Sequence, residues 1–151
     1  MKAIQSICLL FVLGCCIISS AAWAQVDNKV WKSLSTVSYT IEEDESGSLY
    51  VPVFSDAAKQ LEGKTVSVSG YIVPFDGMFK PQHIILSALP LSSCFFCGVG
   101  GPETVMEVFL KEPIKYTESP VTVSGKLKLN SSDYEKLMYV LEEADFEGVA
   151  E

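Results

Sequence analysis

The chain has no arginine; all eleven of its basic residues are lysines. Arginine's planar fork is the side chain of bidentate phosphate and carboxylate recognition, so its absence argues against nucleic acid and phosphorylated ligands. The formal net charge of −8 points the same way, because holding a polyanion requires a cationic surface. The acidity reads first as a solvated face, with an acidic docking surface as the alternative. Histidine is nearly absent too. His83 is the single one, so a Ser/His/Asp arrangement cannot be argued. The acidic pairs Glu42–Glu45 and Glu142–Glu143 read as solvated charge, without a general acid and base among them. The chain therefore reads as a binding or accessory protein more than an enzyme.

The first stretch is read as a targeting segment. Met1 and Lys2 precede an uncharged apolar run, "AIQSICLLFVLGCCII", which ends in "SSAAWA" with Ala22 and Ala24 around Trp23. That is the layout of a secretory signal peptide over residues 1–24. The apolar core is too short for a membrane span, so no transmembrane segment is expected in the mature chain. A second processing reading takes "VLGC" (12–15) as a lipoprotein signal, ending before a lipidated Cys15. Both readings send the protein out of the cytoplasm, to the periplasm or beyond. About 127 residues of the 151 then remain, enough for one domain with one core. Of five cysteines, Cys8, Cys15 and Cys16 fall in the removed segment, leaving Cys94 and Cys97. In an oxidising compartment such a pair can join as a disulfide unless something holds it reduced.

Residues 25–49 read as a leader segment whose Trp31 and Leu34 dock onto a domain spanning 50–151. Within the leader, "TVSYTIEE" (36–43) alternates weakly, and an acidic turn follows. A short helix is expected near 55–63, capped by Ser55 and stopped by Gly63. The clearest signal is "KTVSVSGYIVP" (64–74), in which Val66, Val68, Gly70 and Ile72 alternate with Thr65, Ser67 and Ser69. "SPVTVSGKLKL" (119–129) repeats the pattern V-[ST]-V-S-G, again with a glycine in mid-strand. Such a glycine marks a bulge or a sharp bend, the device that curls a strand around a small barrel. "QHIILSA" (82–88) and "TVMEVFLK" (104–111) supply two more strands. "SSDYEKLMYVLEEADF" fits either a helix or a turn followed by a closing strand from about Leu137, and the strand is preferred. The expected fold is mainly β, a small antiparallel OB-like barrel with one short helix.

The chemistry concentrates in "SSCFFCGVGG" (92–101). Haem attachment needs histidine directly after the second cysteine, and residue 98 is glycine. A thioredoxin-like pair sits at the start of a helix that lowers its thiol pKa, whereas "GVGGP" cannot continue as one. Thiol-redox activity therefore ranks third. C-x-x-C-G has the local form of a zinc knuckle, in which a tight turn aims two thiolates at one ion. His83, on a strand leading into the same loop, and Glu103, the nearest carboxylate, are candidates to complete the site with Cys94 and Cys97. Such a set suits zinc or copper(I). The alternative is a short-loop disulfide in a structural or protein-interaction module. Phe95 and Phe96 are expected to cover the barrel mouth.

On "LEGKTVSVSGYIVP", "ILSALPLSSCFFCGVGGPE" and "SPVTVSGKLKL", the chain resembles a family of small exported bacterial proteins grouped as a domain of unknown function. The likeness runs from about Tyr50 to Glu143. It implies an OB-like fold and an exported or lipid-anchored accessory protein. It also implies partners among membrane transporter components or other periplasmic proteins, sometimes in metal uptake. Many relatives carry Cys-x-His followed by prolines in this loop. Here Cys97 takes the place of that histidine, so the family's ligand set does not carry over.

Overall fold

In the computed structural model, residues 29–44, 47–74 and 81–150 are described. The expected targeting segment lies outside them. A helix α1 (Lys29–Leu34) leads into a hairpin of β1 (Val37–Asp44) and β2 (Gly47–Phe54). A single turn of helix α2 (Asp56–Lys59) follows. Then come β3 (Thr65–Val73), β4 (His83–Ser87), β5 (Val105–Leu110), β6 (Val121–Leu129) and β7 (Tyr139–Val149). The last five strands close into a barrel in the order β3-β4-β5-β7-β6, and β6 returns to β3. This is the small OB-like barrel that the strand pattern predicts. One ladder departs from the antiparallel expectation, since β5 and β7 run parallel. Strand number requires it: a closed ring of five cannot alternate direction all the way round.

The alternation read in β3 and β6 is the burial pattern of the barrel. Val66, Val68 and Ile72 point inward with Val121, Val123 and Leu127, while Ser67, Lys126 and Lys128 stay outside. The two mid-strand glycines sit at the bends. Up to Gly70, β3 pairs with β6; from Tyr71 onward it pairs with β4. Gly125 lies at a register shift against β7, where Glu143 takes a φ of 50°.

Residues 29–54 are joined to the barrel at their two ends. Six residues make a helix too short to stand alone in water, and α1 is held by its buried side. Trp31 and Leu34 enter the core, and the Trp31 indole N–H donates to the Ser69 carbonyl at 2.9 Å. At the base of the hairpin, the Phe54 ring meets Tyr139 with centroids 5.8 Å apart. The helix near residue 55 has the expected cap, Ser55 accepting from the Ala58 N–H at 3.2 Å. No helix among the described residues is long and apolar enough to cross a membrane.

Candidate functional site

The thiol-bearing loop, residues 88–104, is built from short 3₁₀ turns and closed at its neck. The Ala88 N–H donates to the Thr104 carbonyl at 2.8 Å, and the Ser87 hydroxyl donates to the Leu89 carbonyl at the same distance. Within the loop lie the turns Leu91–Ser93, Phe95–Cys97 and Pro102–Thr104. The Cys97 N–H donates to the Cys94 carbonyl at 3.1 Å, which folds the C-x-x-C segment back on itself. Gly98 ends that turn at a φ of 84°, a left-handed conformation that a side chain would strain. The glycine after the second cysteine thus has the backbone role its position suggests.

This turn brings the two sulfurs to 3.6 Å, and both cysteines are free thiols. Their surroundings differ. Cys94 is buried at 1% exposure, whereas Cys97 is exposed. Hydrogen bonding with Cys94, chiefly, with burial and the Cys94 charge behind it, raises the Cys97 thiol above its ordinary pKa. Phe95 is half-buried and meets Phe96 edge-on at 5.2 Å, while Phe96 is 52% exposed. Val99 is exposed as well, so the Cys97 sulfur sits on a surface with an apolar surround.

His83 does not join the cysteines. It stands at the far end of β4 from the loop, roughly 13 Å along the strand from Ser87 at the usual rise per residue. There its ring stacks on Phe109 at 4.4 Å, and its Nε2 lies 3.5 Å from an oxygen of Glu107. Glu107 is buried at 8% exposure, and its second oxygen, Oε2, finds no hydrogen-bond partner. The pairing follows from register: Ile85 faces Glu107 across the ladder, and His83 is two residues on along the same face. Glu107 is the residue that sequence reasoning missed. Its signal was there, a carboxylate at an outward position of "TVMEVFL", beside the strand that carries the only histidine.

Glu103 lies on the Pro102–Thr104 turn, folded back so that a Cβ at Gly101 would strike both its carboxylate oxygens. Its negative charge contributes to raising the pKa of Tyr39 and Tyr139, in each case behind the larger effect of burial. Among the described residues no group of three or more His, Cys, Asp or Glu side chains is placed to hold one metal ion. Of the expected set of Cys94, Cys97, His83 and Glu103, the two cysteines are in contact with each other and His83 lies with Glu107 instead. Comparison with protein-family models, with curated proteins and with solved structures found no match for this chain.

Proposed function

We propose that the protein is an exported accessory protein that holds a zinc or copper(I) ion on Cys94 and Cys97, of the kind its resemblance to small exported bacterial proteins implies. The observation that supports this is the preformed pair of thiols. Two sulfurs 3.6 Å apart, each about 2.3 Å from one zinc ion, subtend roughly 103° at the metal, close to a tetrahedral angle. An ion there would keep open positions, filled by water or by side chains of a second protein. That incomplete set suits an ion received from or passed to a transporter component or another periplasmic protein. The exposed Cys97, flanked by exposed Phe96 and Val99, offers the face on which such a transfer would occur.

Sulfur contact also favours one second reading, a disulfide that stiffens the loop of a structural or interaction module. Native mass spectrometry of protein purified from the periplasm separates the two. The metal reading expects one ion per chain. Cys94→Ser and Cys97→Ser should each lower affinity by more than about tenfold in competition with a chromophoric chelator, given that even outer-shell changes cost about 10–100-fold. His83→Ala should leave affinity unchanged, because His83 lies with Glu107. A chain two hydrogens lighter and metal-free as purified, which regains the two hydrogens on reduction yet still takes up no zinc, would identify the staple and sink the metal site.

A further inference from the structure

A cleft of about 280 Å³ lies between the β1–β2 hairpin and the connection from β6 to β7. The hairpin register pairs Tyr39 with Pro52 and Ile41 with Tyr50, which sets all four on one face of the ribbon. Tyr39, Tyr50 and Pro52 form one wall; Tyr134 and Met138 line the other, and Pro102 contributes from the thiol-bearing loop. The Tyr39 hydroxyl reaches across to 3.9 Å of the Met138 sulfur. Tyr50 and Tyr134 are each 65% exposed.

The second wall is rigid because Asn130 organises it. The Asn130 amide donates to the carbonyls of Asp133, Lys136 and Leu137, and its oxygen accepts from the N–H groups of Ser132 and Asp133. The cleft is therefore preformed. Acidic residues outnumber basic ones around it. Asp133 and Glu135 stand on the loop wall, Glu103 stands beside Pro102, and Glu43 shares the hairpin face with Tyr39 and Ile41. Lys136 also lines the cleft, and Asp133 pairs with it at 3.2 Å.

Three properties define the occupant. A volume of 280 Å³ is below the roughly 300–1,000 Å³ of sites that enclose a small molecule, which suits a few side chains of a longer extended chain. Walls of tyrosine and proline are the surface on which polyproline II segments dock, since these segments lose little entropy on binding. The acidic rim selects positive charge, which tyrosine faces also attract. We propose that this cleft docks a basic, proline-rich segment of a partner protein. The site is independent of whether the thiols hold an ion.

The test uses a fluorescein-labelled peptide of repeated Lys-Pro-Pro units and a matched Glu-Pro-Pro peptide, titrated against the whole chain by anisotropy. Saturable binding of the lysine peptide, weakening with salt, is expected, with none of the glutamate peptide. Tyr50→Ala with Tyr134→Ala should weaken it by at least about tenfold. Both rings are mostly exposed, so an unchanged melting temperature should show that the double variant folds. Cys94→Ser with Cys97→Ser should bind the peptide like the parent chain, which keeps this test separate from that of the metal site. Four results would overturn the proposal: no saturable binding, equal binding of both peptides, binding untouched by the tyrosine pair, or self-association of the chain through these tyrosines.

Discussion

Tyr139→Ala is expected to cost roughly 3–5 kcal/mol of folding stability, the range for deleting a large buried ring. Total stabilities are about 5–15 kcal/mol, so the variant should populate its unfolded state in mild urea. The size follows from where the ring sits. Tyr139 is wholly buried, touches Phe54 of the hairpin, and donates its hydroxyl to the Leu34 carbonyl at 2.6 Å. One side chain therefore ties α1 and the hairpin to the barrel. Its loss leaves a cavity and an orphaned carbonyl together. Tyr139→Phe keeps the ring and removes only the hydrogen bond, for roughly 1–3 kcal/mol. That variant also carries a pH signature. Burial, with the charges of Tyr39 and Glu103 behind it, pushes the Tyr139 phenol well above its ordinary value of 10.0. In the unfolded chain the phenol ionises near 10, while in the fold it keeps its proton. The stabilisation is fully present below pH 10 and is lost as pH rises towards the folded value. Melting temperatures taken between about pH 9 and 11 should fall more steeply for the parent chain than for Tyr139→Phe.

Gly70→Ala and Gly125→Ala should each destabilise the barrel by roughly 1–3 kcal/mol, as overpacking does. A Cβ at Gly70 would lie 2.5 Å from the Ser87 carbonyl oxygen and 2.9 Å from Leu86 Cγ. A Cβ at Gly125 would meet the Glu142 carbonyl oxygen at 2.8 Å and the Ala144 Cα at 3.0 Å. These neighbours are mostly backbone of adjacent strands, so relief means moving the sheet itself. Gly70→Val should fall at the upper end of the range. Gly63→Ala is a useful contrast. Its Cβ would meet nothing within 4 Å, so any loss there comes from its φ of 73° alone. Urea midpoints for the set, with unchanged slopes, would check the order. Equal stability of Gly70→Ala and the parent chain would contradict the close approach.

Those two glycines also show what could be read without coordinates. Valine and serine alternating around a central glycine specify a half-buried strand that must bend, and both strands do so side by side in the barrel. The closing strand from about Leu137 was legible by its β-branched and aromatic residues, and β7 begins at Tyr139. The strand β2 was not. Pro52 cannot donate to a ladder and argues against a strand, but β2 pairs with β1 alone, where an edge tolerates it. Of the site, the C-x-x-C turn was legible because its hydrogen bonds are local. The place of His83 was not, since a strand carries its two ends to opposite rims and sequence separation alone does not say which rim. Glu107 was hidden for the same reason: only the β4–β5 register makes it the neighbour of His83.

The parallel ladder between β5 and β7 sets the order in which this chain can mature. Because β7 lies between β5 and β6, the ring stays open until Tyr139–Val149 is in place. Before then β5 and β6 each present an unpaired edge, the kind of surface on which nascent chains stick to one another. The contacts that end this exposure join residues far apart in sequence, so closure should be slow beside helix formation. A chain held open in this way stays threadable until its last strand docks, and a factor that covers strand edges would have its work concentrated in that interval.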